Sequence, residues 1–348
     1  MRIFNSIEEF SKINRPTSLT IGSFDGVHKG HQKVLKQLKD ISKQNHTQSV
    51  VITFSPHPRI FFHPENNDFK LLNTDFEKSQ LLENQGIDYL IIQPFDKKFA
   101  EQTPVSFIQK LVENLHMNHL LMGYDHRFGK DKKGDFDMIK PLANKYGFQL
   151  HQIDALKMND LELSSTRIRN ELKNGKIEKA NELLGYPYFI TGQVIKGNQL
   201  GRKLGYPTAN IEVTMPDDQS RKQEVGSREL VTGSIKSENI DSSIHLFIDS
   251  STKYKLIPKQ GVYLVKSNID GKDYYGMMNI GFRPTIDGKK QIKEVHFFDL
   301  DKDLYGKNLQ ISFLKRLRNE QKFPSLEALQ KQLQRDEIQA RSLIPDYT

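Results

Sequence analysis

Hydrophobic positions follow two rhythms along the chain, and the change falls near Tyr186 and Pro187. In the first part, short apolar runs alternate with helical spacings. Leu19 to Gly22 is one run; Val34, Leu35, Leu38 and Ile41 then recur on one helix face, and Val50 to Phe54 reads as a buried strand. That is a βαβ unit. Thr74 with Glu77 has the spacing of a capping box that opens a second helix ahead of a strand at Asp88 to Gln93. Thr103 and Pro104 suit the cap and first residue of another helix, whose stripe is Val105, Ile108, Leu111, Val112 and Leu115, before a strand at His119 to Met122. Phe148 to Ile153 and a helix at Ile177 to Leu184, ended by Gly185, complete the series. Such alternation packs as a parallel sheet covered by helices, a Rossmann-like α/β domain over 1–185.

Beyond Tyr186 the runs are strand-like with little helix between them: Tyr188 to Ile195, Gly261 to Ser267, Tyr274 to Ile280, Lys293 to Asp299 and Leu309 to Leu314. Asp270-Gly271 between two of them signals a hairpin. An antiparallel barrel or sandwich over 186–348 is expected, closed by an amphipathic helix that Ser325 caps and that carries Leu326, Leu329, Leu333 and Ile338. A polar segment near 214–253, rich in Ser, Asp, Glu and Lys, reads as an inserted loop, with Ile244 to Ile248 as a short strand within it.

Composition narrows the chemistry. The 348 residues suit two domains, and 21 Phe with 12 Tyr are enough for sizeable cores. Net charge is 51 minus 43, or +8, spread along the chain, which fits a plain basic surface, a nucleic-acid face or sites for phosphorylated ligands. Zero cysteines exclude disulfides, a thiol nucleophile and Cys-ligated zinc. No apolar run reaches membrane-spanning length and the first residues lack a signal-peptide core, so a cytoplasmic protein with no membrane partner is expected.

Two constellations carry function. Gly22-Ser-Phe24-Asp25-Gly26-Val-His28-Lys-Gly30-His31 lies between the first strand and the first helix, at the carboxyl edge of the sheet, where open α/β folds bind ligands. Glycines let the backbone approach a phosphate, and the helix start offers N–H groups to an anion. Zinc on the two histidines, or a plain tight turn, are the other readings. The segment resembles the His-x-Gly-His signature of nucleotidyltransferases, whose imidazoles hold ATP phosphates, and Ser164-Ser165-Thr166-Arg167-Ile-Arg169 resembles their Ser-Ser-Thr-x-x-Arg segment. Gly123-Tyr-Asp125-His126-Arg-Phe128-Gly is similar to the acceptor segment of the FMN adenylyltransferase branch, with His126 where that branch carries Phe. The loop Phe54-Ser-Pro56-His57-Pro58 with Phe62 suits a flat flavin ring.

In the second half, Gly197, Gly201-Arg202 and Gly205-Tyr-Pro207-Thr208-Ala-Asn210 resemble the Gly-x-Pro-Thr-Ala-Asn motif of riboflavin kinases; read alone, the last run is equally a turn between strands. The resemblance implies glycines around ATP phosphates and Thr208 and Asn210 as oxygen donors to Mg²⁺. The segments around Arg283 and Thr285, around Glu294 and around Tyr305 match riboflavin kinases in the same order; Glu294 aligns with the catalytic carboxylate, and Arg318, Glu320 and Phe323 with the flavin-side flap. Nearly the whole chain therefore resembles bacterial bifunctional riboflavin kinase/FMN adenylyltransferases, in which short connections stand where this chain has its polar segment. The implied activities are ATP plus riboflavin to FMN and ADP in the barrel, and ATP plus FMN to FAD and diphosphate in the N-terminal domain, with small-molecule partners and no nucleic acid. Readings from other classes are an adenylyltransferase whose barrel only senses flavin, and a nucleic-acid-binding protein. Oligomeric state is not legible.

Overall fold

The computed structural model describes residues 1–66, 68–123, 127–129, 133–154, 157–158, 161–197, 201, 204–214, 251–285 and 288–347, without the side chains of 157–158, 161–162, 283–285 and 288–290. Asp125, His126, Arg202 and the predicted strand at Ile244 to Ile248 lie outside the described residues, as do the side chains of Arg283 and Thr285. The chain packs as two compact units, Met1–Ser165 with Asn239–Tyr254, and Thr166–Glu238 with Lys255–Thr348.

The first unit runs β1 (Arg2–Phe4), α1 (Ile7–Phe10), β2 (Thr17–Ile21), α2 (Lys29–Gln44), β3 (Gln48–Ser55), α3 (Pro58–Phe62), α4 (Asp75–Asn84), β4 (Tyr89–Pro94), α5 (Lys97–Ala100), α6 (Pro104–Leu115), β5 (Met117–Gly123), α7 (Phe136–Tyr146) and β6 (Gln149–Ile153), followed by the small pair β7 (Lys157–Met158) and β8 (Leu161–Glu162). Six parallel strands stand in the order β1-β4-β3-β2-β5-β6. One face packs on Phe10, Phe107, Ile108, Leu111 and Leu115, the other on Leu35, Leu38 and Leu82. The buried strands read as continuous apolar runs for that reason. The direction of winding reverses at β2, which has β3 on one side and β5 on the other, so the loop leaving β2 opens at the crevice that such a switch creates between β2 and β5. Capping fixes the helices: Thr74 and Glu77 form the predicted capping box, and Thr103 accepts from the Ser106 N–H ahead of Pro104.

The second unit begins within α8 (Ser165–Lys173) and continues through α9 (Ile177–Leu184), ended by Gly185 in the left-handed conformation. Its strands are β9 (Phe189–Ile195), β10 (Ala209–Glu212), β11 (Gly261–Ile269), β12 (Lys272–Thr285), β13 (Gly288–Phe297) and β14 (Asn308–Arg318), before α10 (Leu326–Leu343). They close into an antiparallel barrel in the order β10-β13-β12-β11-β14-β9. Asp270 and Gly271 both take positive φ, 53° and 82°, as the tight hairpin between β11 and β12 requires. Leu329 and Leu333 of α10 pack on Val262, Leu264 and Leu314. Helices α8 and α9 pack in this unit, so the division by compactness falls at Ser165/Thr166, ahead of the change in hydrophobic rhythm at Tyr186.

The end of the polar segment is anchored at Ser251. Ser251 is buried and its Oγ accepts the Asp75 N–H at 3.1 Å, within the first unit.

Candidate functional sites

The turn from β2 to α2 is built around strained backbone. Phe24 and Val27 take φ of 45° and 33°, and Gly26 takes 91°. This folding brings His28 to the cap of α2, where its Nδ1 accepts the His31 N–H at 3.3 Å. An accepting Nδ1 leaves the proton of the neutral ring on Nε2. The two imidazoles stack at 3.7 Å and 14°. Gly30 permits this, since a Cβ there would stand 3.1 Å from the His28 ring. Burial, then His28 and Lys78, push the His31 imidazole well below its ordinary pKa, so it is neutral at physiological pH. Its Nδ1 is buried without a hydrogen-bond partner among the described residues. Such an atom costs about 1–3 kcal/mol unless something outside the chain meets it.

Other predicted residues divide between binding and bracing. Asp25 is buried, and its Oδ1 accepts the N–H groups of Leu72 and Asn73 at 2.9 and 3.2 Å. That carboxylate ties the turn to the start of α4. The Gly22 N–H donates to the Ile52 carbonyl at 3.0 Å, which holds the turn to β3. The Ser165 hydroxyl donates to the Asp25 carbonyl at 2.7 Å, so the Ser-Ser-Thr segment does reach the turn. Thr166, Arg167 and Arg169 follow on α8, in the second unit by packing. Phe54 is spent on Phe95 and Phe99, both at 5.5 Å, and Phe128 is buried against Phe107. Pro58 is the first residue of α3, after Pro56 and His57. Phe62 at the end of α3 is 58% exposed, more than the half-buried His57 and Phe61 of the same loop.

Sequence reasoning missed a buried ion pair beneath this site. Lys78 Nζ stands 3.0 Å from Asp75 Oδ1 and donates to Thr53 Oγ1 at 3.2 Å, while Ser55 Oγ donates to Asp75 Oδ2 at 2.6 Å. Thr53 in turn donates to the Ser23 carbonyl of the turn. Asp75 and Lys78 three residues apart on a helix read as a solvated pair; only the hydroxyls at Thr53 and Ser55, on an otherwise apolar strand, hint at a buried partner.

The barrel site grows from β10. Asn210 pairs in register with Glu294 on β13, and Glu294 with Asn279 on β12, which places three polar side chains in a row on one face. Gly201, Leu204 and Tyr206 form a turn in which the Gly201 carbonyl accepts from both later N–H groups, with Gly205 at φ 82°. The His296 imidazole donates to the Pro207 carbonyl at 2.8 Å and holds the turn against β13. Here a cavity of about 290 Å³ opens, with Thr208, Asn279 and Glu294 on one side and Tyr206, Val262, Met277 and Ile292 on others. A second cavity of about 460 Å³ is lined by Pro207, Val295, Asp301, Asp303, Leu304 and Tyr305. Thr208 lines both. Arg318, Glu320 and Phe323 edge the smaller cavity, and Arg318 is held by a bidentate pair to buried Asp336 at 2.7–2.9 Å. The Arg318 guanidinium also stands 5.7 Å over the Phe323 ring.

The donor set suits a hard cation. The Thr208 hydroxyl and the Asn210 amide are oxygen donors, and Gly197 leaves the place that the Asn210 carboxamide fills, since a Cβ would collide with it. Among the described residues no three His, Asp or Glu side chains gather into a metal cluster, so a cation here would take its other ligands from nucleotide phosphates and water.

Comparison with known proteins adds to this geometry. A family model for FAD synthetase matches residues 10–167, and one for riboflavin kinase matches 184–231 and 244–344. Bifunctional riboflavin kinase/FMN adenylyltransferases are similar along their whole length. That of Haemophilus influenzae is 34% identical over 97% of each chain, that of Escherichia coli 34% over 93% of this chain and 91% of its own, and that of Listeria monocytogenes 32% over 96% and 94%. A crystal structure described as a macrolide-efflux protein from Streptococcus pneumoniae superposes with a TM-score of 0.78 at 27% identity, covering 97% of this chain and 98% of that one. Among the described residues of this chain no helix is long and apolar enough to cross a membrane.

Proposed function

The chain belongs to the family of bifunctional riboflavin kinases/FMN adenylyltransferases, and from that premise we propose how its two units divide the work. The barrel phosphorylates riboflavin with ATP to give FMN and ADP, and the α/β unit joins FMN to ATP to give FAD and diphosphate. The observation that carries the kinase reading is Glu294 lining a cavity of about 290 Å³ that shares Thr208 with the larger cavity. We assign the smaller cavity to the flavin and the larger to the nucleotide. Glu294 accepts the proton of the ribityl hydroxyl as its oxygen attacks the γ-phosphorus, and the bond to ADP breaks. Thr208 and Asn210 would hold Mg²⁺, which when bound neutralises phosphate charge. Gly201 and Gly205 shape the turn beside the phosphates.

In the α/β unit the acceptor is the phosphate of FMN, already anionic, so its oxygen attacks the α-phosphorus of ATP without a base and diphosphate leaves. The chain's task there is to position and neutralise charge. Stacked His28 and His31 with the N–H groups opening α2 supply donors to the phosphates, and the loop with Pro58 and exposed Phe62 receives the flavin. Cytoplasmic location and small-molecule partners belong to the same reading; it is supported by the absence of cysteine and by a net charge of +8, which favours phosphorylated ligands.

An assay with riboflavin and ATP that resolves FMN from FAD tests this. FMN should appear first and FAD after it. FAD formed from supplied FMN with no FMN from riboflavin would leave the barrel a flavin sensor, and salt-sensitive binding to RNA unaffected by ATP and flavin would instead favour a nucleic-acid role.

A further inference from the structure

The stretch Ser251–Tyr254 falls by sequence within the riboflavin kinase match, which resumes at residue 244, yet it packs in the first unit. It touches that unit at several points. Ser251 Oγ accepts the N–H of Asp75, the first residue of α4, whose carboxylate holds Lys78. The Tyr254 carbonyl accepts the Leu71 N–H at 2.7 Å, and its ring packs on Ile60, Phe69 and Leu71. Ile60 lies on α3 between Pro58 and Phe62. Phe69 lies 5.1 Å from the His57 ring, with the Arg59 guanidinium 4.7 Å over its face. A five-residue helix cannot hold itself in water, so the place of α3 is imposed by what packs beneath it, and Tyr254 covers that packing.

We propose that Ser251–Tyr254 is a positioning element of the adenylyl-transfer site: Tyr254 holds the loop at 57–62 in the form that receives FMN, and Ser251 fixes the start of α4. The proposal rests on the assignment of Pro58 and Phe62 to the flavin. Without the Tyr254 ring the loop is ordered only when FMN binds, and that ordering is charged to affinity and not to the chemical step.

Tyr254→Ala should raise the KM for FMN on the order of 10-fold with kcat within about 2-fold, and leave riboflavin phosphorylation unchanged. Tyr254→Phe, which keeps the ring, should restore the KM. A purely structural role would lower kcat through loss of active protein instead. Tyr254→Leu, which retains an apolar cover, is measured alongside in case the alanine variant does not fold. An FMN KM unchanged in the folded variants overturns the proposal. Phe62→Ala measured in parallel shows how far the failure extends: a raised KM there discards this element alone, and an unchanged one removes the flavin assignment too.

Discussion

The two phosphate-handling sites of this chain differ in what they ask of a side chain. In the barrel the acceptor is a neutral hydroxyl, and the site supplies a carboxylate, Glu294, in register with Asn210 and Asn279 on adjoining strands. In the α/β unit the acceptor is already an anion, and the predicted groups at the turn are two stacked imidazoles beside a helix start, that of His31 held neutral by burial. A carboxylate there would repel both substrates. The one at hand, Asp25, is turned away and occupied by backbone N–H groups. On the proposed assignment the chemistry of the acceptor decides whether a base is present: a carboxylate on a strand in the barrel, N–H donors at a strained turn in the α/β unit.

The largest effect that would break this comparison is at Glu294. Glu294→Gln should lower riboflavin phosphorylation roughly 10²- to 10⁴-fold and leave FMN to FAD conversion intact, read by the same two-step assay. A parallel fall of both activities in a folded protein would show that the sites are not separate. His28→Ala with His31→Ala should reverse the pattern, with FAD synthesis down on the order of 10²- to 10³-fold and phosphorylation retained. FAD made at the normal rate would remove the imidazoles from the phosphates.

Lys78→Met sharpens the contrast from beneath, because it strands the buried Asp75 carboxylate. A loss of about 3–5 kcal/mol is expected in the first unit, measured by chemical unfolding, and Asp75→Asn added to it should recover most of that loss. If the double variant is no better than the single, Lys78 matters by contact rather than by charge.

The smallest effect is in pH dependence. His31, His119 and His151 are each held below the ordinary value of 6.5, first by burial and then, for His31 and His119, by a neighbouring imidazole. The unfolded chain therefore binds these protons more readily. The stability they carry is full above about pH 6.5 and erodes as pH falls below it. In the barrel, Asp270, Asp273 and Asp299 are held below 3.8 by Lys307, Lys266 and Arg341, so their contribution is lost only as pH falls below that value. Segment-resolved proteolysis between pH 7.5 and 4.5 should show the first unit loosening while the barrel holds.

Much of this was legible because it is local. The capping box at Thr74 and Glu77, the Asp270-Gly271 hairpin and the stop at Gly185 each depend on a few adjacent residues, and each stands where the sequence places it. Glu294 was found through the motif around it, and the register then gave it neighbours. Strand β10 escaped notice because two of its four residues, Ala209 and Asn210, belong to the Pro207–Asn210 motif, and four residues are too few to show an alternation. The Asp75–Lys78 pair and the docking of Ser251–Tyr254 join residues far apart in the chain, and spacing says nothing of such contacts. Exposure likewise separated Phe62, open to a ligand, from Phe54 and Phe128, which composition alone made equal.

Strand β10 meets β13 through only two register pairs, Ala209 with Val295 and Asn210 with Glu294, and β9 through three, whereas β11 and β12 share nine. The barrel closes at its thinnest seam, and that seam carries the predicted metal donors. Brief separation there breaks few hydrogen bonds, so it occurs far more often than global unfolding. Backbone amides at 209–212 should therefore exchange with deuterium ahead of their neighbours, and a bound nucleotide should slow them most. On the proposed assignment, nucleotide binding would be coupled to the opening of one short strand rather than to the stability of the whole.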